Sequence, residues 1–104
     1  MKTQIPWYIR QAPKLGSAYQ HFRNIANQEN VLDEKTRELL MVALASVMRC
    51  PHCVKDHIIR AQEVGASKAE VTEALLIAAF EGAGTQMAWH KEVFKELLGE
   101  TSEE

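Results

Sequence analysis

Residues 33–57 read Asp33-Glu34-Lys35-Thr36-Arg37-Glu38-Leu39-Leu40-Met41-Val42-Ala43-Leu44-Ala45-Ser46-Val47-Met48-Arg49-Cys50-Pro51-His52-Cys53-Val54-Lys55-Asp56-His57. Asp33 is a favoured helix N-cap, Glu34 suits the positive end of a helix, and an apolar run follows. Leu39, Leu40, Val42, Ala43, Leu44, Val47 and Met48 make the segment apolar nearly all round. This pattern predicts a helix over about 34–48, in the middle of a bundle or at an interface. Cys50-Pro51 breaks it, and Pro51 suits the first position of a new helix with Cys50 as its cap.

The neighbouring segments are helical too. Downstream, Val54, Ile58, Ala61 and Val64 form one stripe, and Gly65 is placed to end that helix in the left-handed conformation. Ser67 and Glu70 form a Ser-x-x-Glu capping box for the next helix, with Val71, Ala74, Leu75, Ala78 and Ala79 on its core face. Gly82-Ala83-Gly84 predicts a turn or a close-packing site, and a last helix follows over about 85–98, stopped by Gly99. Upstream, Leu15, Ala18, Tyr19, Phe22, Ile25 and Ala26 predict a helix over about 13–27. Pro6 and Pro13 read as breakers in an irregular 1–13 segment, whose Trp7, Tyr8 and Ile9 are expected to pack. Residues 101–104 form an acidic tail. The expectation is an all-α bundle of about five helices in a single domain spanning 1–104, with no strand, repeat or linker.

The 104 residues carry a net charge of −2. That supplies no basic field for nucleic acid and no polybasic patch for anionic lipid. The first ten residues lack the apolar core and cleavage site of a signal peptide, and no apolar run reaches membrane-spanning length. A cytoplasmic location is expected. A chain of this size buries only about two-thirds of its unfolded surface alone, so a subunit interface would help.

The chemistry concentrates around two cysteines three residues apart. A bridge between them closes too small a loop to act as a staple, so a redox or metal-binding pair is the better reading. The two thiols can pair when the first turn is helical. A helix N-terminus favours thiolate. His57 lies one turn beyond Cys53 on the same face, where a base able to deprotonate a thiol is needed. Glu38, on the otherwise apolar preceding helix, can orient His57 and set its tautomer. Taken singly, Glu38 reads as a solvated carboxylate beside Arg37 or Lys35, and His57 as a surface histidine.

Glu38, Cys50-Pro51-His52-Cys53 and His57 together resemble the Glu-x11-Cys-x-x-Cys-x3-His signature of the alkylhydroperoxidase AhpD-like, carboxymuconolactone decarboxylase superfamily. The resemblance extends from about residue 33 to about residue 98 and includes Gly65-Ala66-Ser67-Lys68-Ala69-Glu70-Val71. It implies an AhpD-like helical bundle, oligomeric as a trimer or hexamer, that reduces peroxides or passes electrons through its cysteines. By position, Cys53 would be the peroxidatic thiol, Cys50 the resolving one, and Glu38 and His57 the proton relay. His52 stands where the alkylhydroperoxidase also has a histidine. Decarboxylation is disfavoured, because the decarboxylases proper lack the cysteine pair. Local physics by itself points the other way on the attacking sulfur, since the cap residue Cys50 receives the helix amides.

No cofactor-binding loop is present, so no cofactor is expected. The reductant would be a partner protein or an external dithiol such as a lipoyl group. Competing readings are two buried core thiols, a zinc site built from Cys50, Cys53, His57 and another histidine, and a thioredoxin-like fold. The last is opposed by the absence of a downstream hairpin and turn proline. A thiol–disulfide reductase acting on something other than peroxide, and a helical metal-binding or interaction module, remain as functional alternatives. His21 and His90 have no readable partner, and Trp7 and Trp89 read as packing or interface residues.

Overall fold

The computed structural model describes residues 4–99. The order is α1 (Trp7–Gln11), α2 (Pro13–Ala26), α3 (Glu34–Val47), α4 (Pro51–Glu63), α5 (Lys68–Trp89) and α6 (Lys91–Leu98). Among the described residues there is no strand, so the all-α expectation holds. The acidic tail expected at 101–104 lies outside the described residues. The chain forms two compact units that part between Arg37 and Glu38.

The first unit corrects the expectation of an irregular N-terminal segment. Pro6 does not break structure there. Its carbonyl accepts from the Ile9 and Arg10 amides at 3.0 and 3.3 Å, opening α1. Pro13 occupies the first turn of α2, where a missing N–H costs nothing and φ is already helical. Prolines at these two positions start helices. Tyr8 lies edge-on to Tyr19 at 5.0 Å and its hydroxyl donates to Gln20. Trp7 remains largely exposed. The crossing of α1 and α2 depends on Gly16, where a Cβ would stand 2.3 Å from the Tyr8 carbonyl oxygen and 2.9 Å from the Ile9 Cα.

The start of α3 follows the sequence closely. The Asp33 carboxylate accepts from the Thr36 amide at 2.8 Å. That backbone hydrogen bond, then the Thr36 side chain and the charge of Lys35, hold Asp33 below the usual carboxylate range. Residue 49 shows how α3 ends. Arg49 has φ +59°, its amide donates to Ser46 at 3.1 Å, and the Cys50 amide donates to Ala45 at 3.1 Å. This is a Schellman stop with arginine in the left-handed position that glycine normally fills. The end of α4 repeats it with Gly65 at φ +99°, the Gly65 and Ala66 amides donating to Gln62 and Ala61.

The capping box at α5 is present in full: Ser67 Oγ accepts from the Glu70 amide at 3.0 Å, and Glu70 Oε1 from the Ser67 amide at 2.9 Å. The turn expected at Gly82–Gly84 is absent. α5 continues through to Trp89, and the described residues form six helices in place of five because α1 (Trp7–Gln11) lies where an irregular segment was expected. Two helical glycines cost about 1 kcal/mol each relative to alanine. The Ala- and Leu-rich flanks outweigh that cost, and Thr85 Oγ1 bonds the Glu81 carbonyl within the helix at 3.0 Å. The break comes instead at His90, whose ring lies 4.0 Å from that of Trp89 and 5.4 Å from that of Phe94.

In the second unit the core is small: Val42 from α3, Ala61 from α4, Ala66, and Val71 from α5, with Leu39, Ile58 and Leu75 packed around them. The apolar helices α3 and α5 show most of their remaining large side chains at the surface of the chain. Phe80 is 76% and Trp89 68% exposed.

Candidate functional site

Cys50 caps α4 in an extended conformation, and its Sγ accepts from the Cys53 amide at 3.3 Å. The two cysteines are joined as a disulfide, with Cα atoms 5.3 Å apart, inside the ordinary span for a bridge. A single helical turn beginning at Pro51 brings the sulfurs together, so the pair needs no tertiary support. Both cysteines are half-buried.

The second component is tertiary. Glu38, on the first turns of α3, is only 1% exposed, although a carboxylate is almost never buried without a partner. Its Oε1 lies 2.7 Å from His57 Nδ1 on α4, and the His57 side chain is 14% exposed. With Glu38 ionised, its carboxylate can only accept, so Nδ1 is the donor, and in the neutral ring Nε2 is then the basic position. The structure thus joins Glu38 to His57 and Cys50 to Cys53, with His57 one turn along α4 from Cys53. His52 stands exposed on the first turn of α4 and is not drawn into either pairing. Among the described residues no group of three or more His, Cys, Asp or Glu side chains is arranged to hold a metal ion.

Beside the disulfide lies an open groove that sequence reasoning did not find. Pro51, Val54, Ile58 and Ile59 wall it, Cys50 lies in its lining, and Arg49 and Lys55 supply the charge. Cys53 and His57 are not part of that lining. The one sequence signal was an arginine at the position where α3 must turn left-handed.

Among the described residues, no helix is long and apolar enough to cross a membrane. The sequence profile of the carboxymuconolactone decarboxylase family matches residues 13–96. A Paracoccus denitrificans protein known as "Uncharacterized protein 4 in cox locus" is 30% identical over 79 residues, covering 76% of this chain and 71% of that protein. An uncharacterized Haemophilus influenzae protein is 46% identical over 48 residues, covering 46% of this chain and 42% of that protein. A crystal structure of a Methanobacterium thermoautotrophicum protein superposes with a TM-score of 0.73 at 29% identity, covering 84% of this chain and 98% of that one.

Proposed function

We propose that this chain, which belongs to the carboxymuconolactone decarboxylase family, is an alkylhydroperoxidase-like, peroxiredoxin-type oxidoreductase working through Cys50 and Cys53. The observation that carries this reading is the buried Glu38 carboxylate held 2.7 Å from His57. A carboxylate is costly to bury, and this one fixes an imidazole with its free nitrogen available as a base, on the helix that bears the disulfide.

The cycle begins with His57 Nε2 taking the Cys53 proton. The Cys53 thiolate attacks the terminal peroxide oxygen, the O–O bond breaks, the alkoxide leaves as alcohol, and Cys53 becomes a sulfenic acid. Cys50 attacks the sulfenic sulfur, forming the disulfide and releasing water. An external dithiol or a redox partner protein returns both thiols by two exchanges. His52, exposed beside the pair, tunes the local charge. A thiol–disulfide reductase with a target other than peroxide is the second reading. It is favoured by the open groove that Cys50 helps to line.

The deciding experiment counts free thiols on the reduced full chain before and after a small excess of cumene hydroperoxide. Rapid loss of two thiols, reversed by dithiothreitol, is expected. Persistence of both thiols removes the peroxidase reading, and exchange with other disulfides then tests the second.

We also propose that the chain works as a homo-oligomer, a trimer or hexamer, in which copies cover the apolar face of α5. Leu76, Ile77, Phe80 and Met87 are each more than half exposed on this helix, and clustered exposed apolar side chains mark interaction surfaces. Sedimentation at micromolar concentration reads this directly, and a monodisperse monomer would overturn it.

A further inference from the structure

We propose that Cys50 is the standing thiolate of the reduced chain, held by the N-terminus of α4 and by Arg49 and Lys55, whereas Cys53 is ionised only when His57 takes its proton. The inference rests on the redox reading above and gives the two cysteines separate means of activation.

Three observations meet at Cys50. Its Sγ accepts from the Cys53 amide at 3.3 Å, one of the N–H groups that the first turn of a helix leaves without an intrahelical partner. Charge arriving on this sulfur finds its donor already in place. Cys50 also lines the same groove as Arg49 and Lys55, and no acidic side chain lines that groove. Cations beside a thiol at a helix N-terminus favour its anion. The backbone completes the arrangement: Arg49, at φ +59°, ends α3 and leaves Cys50 in the extended conformation that caps α4. Cys53 has a different setting. It takes no part in the groove lining, and the base one turn beyond it, His57, is held by the Glu38 carboxylate at 2.7 Å. An imidazolium formed there is neutralised by that carboxylate, which leaves little positive field for a resting Cys53 anion. His52 and Asp56 are exposed on the same turns and lie outside the groove lining.

This division matches each sulfur to its step. Attack on peroxide stays with Cys53, because the proton that His57 takes is the one the departing alkoxide needs. In resolution the Cys50 thiolate attacks the Cys53 sulfenic sulfur: the S–S bond forms, the S–O bond breaks, and the hydroxide takes up one proton and leaves as water. In reduction an external thiolate attacks Cys53 Sγ, the bond to Cys50 breaks, and the electron pair passes to Cys50 Sγ, where the amide and the cations receive it. The thiol of lower pKa is the better leaving group, so the mixed disulfide forms on Cys53. A second external thiolate then forms the external disulfide and frees Cys53. Cys53 is thus the sulfur attacked in both half-cycles, and Cys50 the one that carries the charge.

The test labels the reduced full chain with limiting iodoacetamide at about pH 6, where a thiol of ordinary pKa, about 8.5, is almost wholly protonated. The remaining thiol is blocked with N-ethylmaleimide after unfolding, and peptide fragmentation reads each cysteine. Iodoacetamide is expected on Cys50 in preference to Cys53 by roughly tenfold or more, which is one pH unit or more of difference in ionisation. The pH midpoint for Cys50 labelling should rise in Arg49→Gln, in Lys55→Gln and at high salt, while that for Cys53 stays in place. The oxidised chain, reacted briefly with uncharged mercaptoethanol and quenched in acid, should carry the adduct on Cys53. Labelling led by Cys53, equal labelling, a Cys50 midpoint unmoved in both glutamine variants, or the adduct on Cys50 each overturns the proposal. Peroxide oxidation of the reduced chain is measured in parallel. Its failure beside selective labelling of Cys50 sinks the peroxidase reading alone, and rapid oxidation beside labelling led by Cys53 sinks the Cys50 thiolate alone.

Discussion

Replacing Glu38 with glutamine tests the relay at the point where the structure is most specific. Glutamine keeps the volume and can still accept from His57 Nδ1, so the helix pairing survives while the charge is removed. Across 2.7 Å, the gross attraction between carboxylate and imidazolium at an effective dielectric of about 20 is roughly 6 kcal/mol before desolvation. The smaller figure for losing the charge from a hydrogen bond, about 1.5–3 kcal/mol, governs here, because a neutral hydrogen bond remains. His57 also gains only part of its charge in the transition state. The expected cost is therefore roughly 10- to 100-fold in rate.

The assay is single-turnover loss of thiols with cumene hydroperoxide at neutral pH, with circular dichroism as the check on folding. The deficit should shrink above the ordinary thiol pKa of about 8.5, where the thiolate forms without help from a base. Oxidation of Glu38→Gln at the wild-type rate would remove the relay from the mechanism. A uniform deficit at every pH, together with a lowered Tm, would make Glu38 a structural residue only.

Four further outcomes are expected. Cys50→Ser should accumulate a Cys53 sulfenic acid trappable by dimedone, while Cys53→Ser should not react with peroxide; the reverse pattern exchanges the two roles. Gly16→Ala should destabilise the first unit by about 1–3 kcal/mol, because its Cβ meets the backbone of α1, and faster hydrogen exchange in α1 would report it. Arg49→Gly should raise stability by about 1 kcal/mol in thermal unfolding, by relieving the left-handed backbone. Asp33, whose pKa is lowered in the folded chain, adds stability above its ordinary value near 4. That contribution fades as pH falls through the depressed folded value. Asp33→Asn should flatten this part of the pH–Tm profile.

Features decided within a few residues were legible in advance. The Asp33 cap, the Ser67–Glu70 box, the Gly65 stop and the cap at Cys50 are each closed by atoms three to five residues apart, and all four are present. Pro13 opens α2 where a helix over about 13–27 was expected, but Pro6 was misread, because a proline that breaks a helix and one that opens a helix are the same residue. Only the hydrogen bonds on either side distinguish them. The Gly82–Gly84 segment was misread because local propensity set it as a turn, whereas the length and composition of the surrounding helix outweighed two unfavourable residues.

The sequence by itself determined the helical class, the disulfide-competent spacing of Cys50 and Cys53, and the position of His57 one turn beyond them, because each follows from the repeat of a single helix. Tertiary structure alone decided that Glu38 is buried against His57 across a separation of 19 residues, that Gly16 is the contact between α1 and α2, and that a cationic apolar groove opens on the Cys50 side of the disulfide. The physical reason is common to all three. Burial, close approach and the shape of a cavity depend on how separate helices pack, and helical periodicity fixes which face a residue occupies but not what that face meets.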